Sequence, residues 1–227
     1  LATCEDGLHL KKQGLIVAQM DYEEFTKLAE NNGKMDEKYA LYNNFNPRLW
    51  DKDIAFFPRR INGQLHFLHR IKPHIQVVKV NELSELTPDF WRDYFLHFED
   101  HMLLKPKYPH EQSYVGAGCP PVETEHGWLL IYHGVHETKN GYVYVGCAAL
   151  LDLADPQKEI ARLPRPILVP ERVWEIMGDV DNVCFPTGTA VFGDTLYIYY
   201  GAGDEVIATG SVSITELLNE LLAHKGS

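Results

Sequence analysis

Along this chain apolar and polar positions alternate in short runs, most plainly in Leu196-Tyr197-Ile198-Tyr199. A period of two marks strands that bury one face. Three segments share one layout: "FFPRRINGQLHFLHR" (56–70), "CPPVETEHGWLLIYHG" (119–134) and "CFPTGTAVFGDTLYIYYG" (184–201). Each passes from an apolar-proline pair through a short strand and a glycine-containing turn into an aromatic-rich strand, and Pro58, Pro121 and Pro186 recur at nearly constant spacing. Each unit then continues into further strand-forming sequence, "IQVVKVNEL", "VYVGCAALLDL" and "VIATGSVSITEL", and "LATCEDGLHL" opens the chain as another copy of that second half. An all-β repeat of about four strands per unit is the pattern of a β-propeller.

Helical periodicity interrupts the repeat in three places. In "AQMDYEEFTKLAENNGKMDEKYALYNNFNPRLW" the Glu/Lys content and the spacing of Tyr22, Phe25, Leu28 and Ala29 predict a helical insertion. "NELSELTPDFWRDYF" predicts a second short helix, and "SITELLNELLAHKG" a C-terminal one. The last is capped by Ser213 or Thr215 and carries Leu217, Leu218, Leu221 and Leu222 on one face, to pack against the blades. The chain is therefore expected to be a single propeller domain over 1–227. Residues 1–50 form a partial blade with the helical insertion, and 51–115, 116–180 and 181–227 are successive blades. Three units and a half are fewer than the four or more blades with which propellers close, so further blades are expected ahead of Leu1.

The stretch "GAGCPPVETEHGWLLIYHGV" (116–135) marks where chemistry is expected. Pro120 and Pro121 cannot donate to a ladder and belong at a strand mouth, while His126-Gly127 turns the chain before Trp128 to His133 pairs back. Strand mouths on a rigid scaffold are where β-proteins display functional side chains. A net charge of -11 without a basic stripe argues against a nucleic-acid partner and suits a neutral or only locally charged substrate. No apolar run approaches the roughly 18 residues that would span a bilayer, and the first residues lack the order of a signal peptide; no membrane partner and a cytoplasmic location are expected. Cys4, Cys119, Cys147 and Cys184 contain no Cys-x-x-Cys pair, and the histidines lack ligand spacing. Free thiols and no metal site are the expectation.

The combination of "GAGCPPVETEHGWLLIYHGV", "CAALLDLADPQKEIARLPRPIL", "DNVCFPTG" and "GDTLYIYYGAGDEVI" resembles glycoside hydrolase family 130. These are five-bladed β-propellers that include β-mannoside phosphorylases and β-1,2-mannosidases. The match runs from about Lys52 to Leu218, with a weaker echo in "LATCEDGLHLKKQGLI". The resemblance implies a central funnel for a mannosyl unit and no cofactor, apart from inorganic phosphate in a phosphorylase. It also implies a general-acid aspartate in a blade before Leu1. "NPRLW" (46–50) imitates an Asp-Pro-Arg stretch of the kind associated with that acid, but Asn46 has no proton to give and reads as loop.

Site residues carry over from the resemblance one at a time. The family's Arg-Asn pair falls on Lys52-Asp53, a second arginine on Arg70, and a lysine ahead of the glycine-rich stretch on Tyr114. A phenol offers less to phosphate than an ammonium, and the Asp53 carboxylate would repel it. Inverting hydrolysis of a β-linked mannoside by water is therefore the expectation, with Glu111 as the base and Asp53 as the alternative base. Asp204, His133, Tyr144 and Phe185 are the expected sugar contacts, and Glu123 is expected to brace the strand-mouth backbone. Each has a plainer reading: solvated turns for Lys52-Asp53, Glu111 and Asp204, and blade core for His133, Tyr144 and Phe185. Two other functions stay open. One is phosphorolysis to mannose 1-phosphate with Lys52, Arg70 and His133 gripping phosphate; the other is a non-catalytic propeller that binds a glycan. The partner is a mannoside or other oligosaccharide, and the oligomeric state is left open.

Overall fold

Runs of β-branched and aromatic residues bounded by Gly, Pro and Asn turns fold here into three successive antiparallel sheets. The computed structural model describes residues 1–30, 38–41 and 48–226. Ahead of the sheets, β1 (Ala2–Thr3) and β2 (Lys11–Lys12) pair as a small exposed hairpin. Two helices follow, α1 (Tyr22–Glu30) and α2 (Lys38–Leu41). Asn46 lies outside the described residues.

The first sheet has the order β3 (Lys52–Phe56), β4 (Leu65–Arg70), β5 (Ile75–Val80) and β6 (Met102–Leu104), with α3 (Pro88–Leu96) between β5 and β6. Thr87 caps α3 by accepting from the Phe90 amide at 3.2 Å, and Pro88 fills the first turn, where no amide is needed. The predicted spacing in α1 serves one face: Tyr22, Phe25 and Ala29 are buried, and the Phe25 ring meets Phe95 and Phe98 of the α3 region at 5.2 and 5.0 Å. These helices cover one side of the first sheet, over Phe67, Val78 and Val80.

In the second sheet β7 (Tyr114–Ala117) and β8 (Val122–Thr124) both pair with β9 (Gly127–Thr138), followed by β10 (Gly141–Leu151) and β11 (Glu159–Arg162). After α4 (Val173–Ile176) the third sheet is β12 (Cys184–Phe192), β13 (Thr195–Ala202) and β14 (Val206–Ser213). It has three strands rather than four. Past β14 the Ser213 hydroxyl accepts from the Glu216 amide and starts α5 (Ile214–Ala223), whose Leu217, Leu218 and Leu221 close a core shared with the second sheet. A helix therefore follows where the repeat called for a fourth strand.

The sheets stack face to face as propeller blades, and no sheet closes into a ring among the described residues. Phe57 of the first sheet meets Trp128 of the second edge-on at 5.2 Å, within a core that includes Leu68, Val77, Leu130 and Tyr132. The three repeated prolines stand where the first strand of each sheet loses its regular ladder. Pro58 follows the last β3 bond, from the Phe57 amide to His66; Pro121 lies in the gap between β7 and β8; Pro186 sits at the register shift in β12. A residue without an amide proton costs nothing there.

All four cysteines are free, with Cys119, Cys147 and Cys184 buried and Cys4 exposed, and burial pushes the Cys119 thiol up to about 12. Among the described residues no helix is long and apolar enough to cross a membrane.

Inside the second sheet a buried charge pair replaces the role expected for Glu111. Its side chain is fully buried, 3.1 Å from Arg162 Nη1, accepts from the Tyr132 hydroxyl, and accepts from the amides of Lys107 and Tyr108 at 2.8 and 3.2 Å. A fully buried carboxylate so completely engaged is structural and is not a base for a water nucleophile. The group His110, Glu111 and Cys147, whose ligand atoms lie within 4.8 Å of one another, belongs to the same packing. Removing one charge leaves Arg162 with Glu159 alone. Glu111→Gln is therefore expected to lower unfolding free energy by about 3 kcal/mol, checked by urea denaturation; an unchanged midpoint would contradict the structural role.

Candidate functional site

The strand ends of the first sheet and the middle of the second bring together the residues that can hold an anion. At the start of β3 the ladder to β4 shifts register between Lys52 and Ala55, and Asp53 adopts a left-handed backbone (φ 57°), a conformation Asp tolerates better than most residues. The bulge aims the Asp53 carboxylate at the end of β4, where its Oδ2 lies 3.0 Å from Arg70 Nη1 and 3.6 Å from His133 Nε2. Arg70 Nη1 is also 3.1 Å from His133 Nε2. A guanidinium only donates, so His133 accepts through Nε2 and is neutral; burial first, then the cations Arg70 and Lys72, hold its pKa well below the usual histidine range.

Gly116 of β7 is directly opposite His133 in the β7–β9 ladder. A Cβ there would overlap both the Asp53 carboxylate and the His133 ring, so the glycine is what lets the two sheets meet at this point.

Tyr114 forms the next wall. The Arg70 guanidinium lies 5.1 Å and the Lys72 ammonium 3.8 Å from its ring centre, and its hydroxyl is 2.6 Å from that of Tyr144 on β10. The third sheet adds Phe185, whose ring is tilted 33° against His133 at 4.3 Å. Lys52 is exposed, with Nζ 4.6 Å from the centre of the Trp50 ring, and adds positive potential at both Asp53 and Lys72. Burial raises the Asp53 pKa while Arg70, Lys52 and Lys72 oppose it. Burial and the neighbouring cations Arg70 and Lys52 lower Lys72 to about 8. Among the described residues, Asp53 Oδ2, Arg70 Nε and His133 Nδ1 are buried without a hydrogen-bond partner.

Asp53, Arg70, Tyr114, His133, Tyr144 and Phe185 thus converge, with Lys52 at the rim. Glu111 does not join them. It lies with Tyr132, Gly134 and Cys147, on the sheet face opposite His133, because successive residues of β9 point to opposite sides. Asp204 is exposed in the β13–β14 turn with φ 55° and makes no side-chain hydrogen bond or ion pair among the described residues. Glu123 bonds a side chain and not the backbone: it forms a two-pronged ion pair with Arg59, at 2.5 and 2.7 Å. The residue that sequence reasoning missed is Lys72. It lies in the turn between β4 and β5, and its sequence signal was its nearness to Arg70, a cation the motif already carried.

The steric account of Gly116 is directly testable. Gly116→Ala is expected to cost about 1–3 kcal/mol of stability by overpacking, whereas Gly188→Ala, with open space at its Cβ, stays within about 0.5 kcal/mol of the parent. Equal melting temperatures for the two variants would refute the close approach.

The chain's relatives bear on what this cluster serves. A family profile described as β-1,4-mannooligosaccharide phosphorylase, that of glycoside hydrolase family 130, matches residues 20–222. A 1,2-β-oligomannan phosphorylase of Thermoanaerobacter is 40% identical over 74% of this chain and 52% of its own length. A β-1,2-mannobiose phosphorylase of Listeria innocua is 37% identical over 75% of this chain and 46% of its own. A solved structure of β-1,2-mannobiose phosphorylase from Listeria innocua, in complex with β-1,2-mannobiose, superposes with a TM-score of 0.63 at 32% identity, over 78% of this chain and 49% of that one. The chain thus spans about half the length of these relatives. With both the profile and the identities covering most of its residues, the chain belongs to glycoside hydrolase family 130.

Proposed function

We propose that this protein cleaves β-mannosides by phosphorolysis and that the Arg70 cluster holds the attacking phosphate. The observation that carries the reading is the position of Lys72. Hydrolysis was expected because Tyr114 stands where the family places a lysine, which would leave the site short of a cation. Lys72 reaches the face of that tyrosine from the neighbouring sheet, 3.8 Å from the ring centre, and supplies an ammonium beside the position that lacks one. The Asp53 carboxylate is ion-paired to Arg70, which offsets part of the repulsion that also argued against phosphate. Relatives 32–40% identical to this chain are phosphorylases, which supports the same reading.

In the reaction a phosphate oxygen forms a bond to the anomeric carbon of the mannosyl unit as the glycosidic C–O bond breaks. The electron pair leaves with the departing oxygen, which takes a proton from a general acid, and the products are mannose 1-phosphate and the shortened acceptor. Arg70 and Lys72 oppose the charge of the phosphate. Neutral His133, Tyr114 and Tyr144 supply directional hydrogen bonds, and Phe185 offers an apolar face beside the ring.

The test supplies the full-length protein with a β-linked manno-oligosaccharide, with and without phosphate. Mannose 1-phosphate formed only with phosphate is the expected result; free mannose released equally well without it would replace this reading by hydrolysis with Asp53 as the base. Lys72→Met should raise the KM for phosphate about ten- to a hundredfold, the value of one charge-assisted contact. Because Lys72 is charged below about 8, phosphate affinity should fall as pH rises through that value. The groups that set this titration are Arg70, Lys52 and Asp53. Lys72→Arg, which stays protonated, should move the fall to higher pH.

A further inference from the structure

We propose that Asp53 makes this anion site selective for an oxyanion that still carries a proton, so that it takes phosphate and rejects sulfate. The inference rests on the phosphate reading of the Arg70 cluster and goes one step beyond it. Asp53 Oδ2 is the unusual atom. It is buried, 3.0 Å from Arg70 Nη1 and under the positive potential of Lys52 and Lys72, and has no properly directed hydrogen bond.

The side chain is held where it is. Its backbone is fixed in the left-handed region at the β3 bulge, the carboxylate packs into the space Gly116 leaves, and it is only 11% exposed. An anion drawn to Arg70 and Lys72 must therefore settle next to a carboxylate oxygen that only accepts. Near neutral pH phosphate keeps a P–OH group and can donate it to the exposed edge of the Asp53 carboxylate, which turns a repulsive neighbour into a short charge-assisted O–H···O bond. Sulfate matches phosphate in shape but has no proton to donate at that pH. It would place acceptor against acceptor in a largely buried site. Sites built to meet one ligand hydroxyl reject the analogue lacking it far more strongly than shape alone allows. Discrimination on the order of a hundredfold is expected here.

Calorimetric titration of the full-length protein and of Asp53→Asn with phosphate, arsenate and sulfate at pH 7 tests this. Arsenate is larger than phosphate but carries the same proton, so it separates proton from size. The parent should bind phosphate and arsenate and bind sulfate at least tenfold more weakly. Asp53→Asn, whose amide can donate, should close most of that gap by gaining affinity for sulfate. Sulfate binding as tight as phosphate in the parent, or an undiminished gap in Asp53→Asn, would remove the role of Asp53 and leave the phosphate site standing. Absence of phosphate binding in both proteins would take down the phosphate reading and this inference together. The contrast between arsenate and sulfate in the parent needs no variant, so poor folding of Asp53→Asn would not spare the proposal.

Discussion

A guanidinium removed from water has to be answered by a negative charge, and the structure is organised around that requirement at Arg70. Its side chain is 7% exposed, and Asp53 at 3.0 Å is the carboxylate that answers it. To deliver that carboxylate, β3 bulges and Asp53 takes a left-handed backbone; to make room for it, β7 carries Gly116; to complete the contact, β9 turns the neutral ring of His133 inward. Four strands from two sheets are committed to one ion pair. Buried pairs of this kind contribute little net stability, because desolvation consumes most of their attraction. Such a costly arrangement keeps Arg70, Lys72 and Lys52 concentrated around one carboxylate.

Much of the fold was legible because it is written in local patterns. Alternation at Leu196 to Tyr199, prolines at the breaks of the first strands, and the capping serine ahead of Leu217 each act within a few residues, and each appears where the pattern put it. The third sheet departed from the repeat because Ser213 starts a helix within the run that the repeat assigned to strands. The cluster was legible through the family motifs, which carried Lys52, Asp53, Arg70, Tyr114, His133, Tyr144 and Phe185 to one neighbourhood.

What the sequence concealed were relations between distant positions. Glu111 sits in the polar-looking "KYPHEQSY", yet its charge partner Arg162 comes from the far edge of the same sheet, and only the fold turns a surface-like loop into a sealed pair. Lys72 was overlooked for the converse reason. Its importance lies in the ring of Tyr114 across a sheet boundary, and nothing in "RIKPH" declares that neighbour. Asp204 belongs to a glycine-rich turn that matches a motif, but the motif does not by itself bring the carboxylate into contact with the cluster.

The stacking of separate sheets has a consequence for how the molecule loses competence. Arg70, His133 and Phe185 come from three sheets, each held internally by its own ladders, whereas their mutual placement depends on the packing between sheets at contacts such as Phe57 with Trp128. A slight slackening between sheets would part these side chains by ångströms while every ladder stayed intact. Circular dichroism of the backbone is then a poor gauge of whether the site is assembled, and the near-ultraviolet signal of the aromatic interface is the better one.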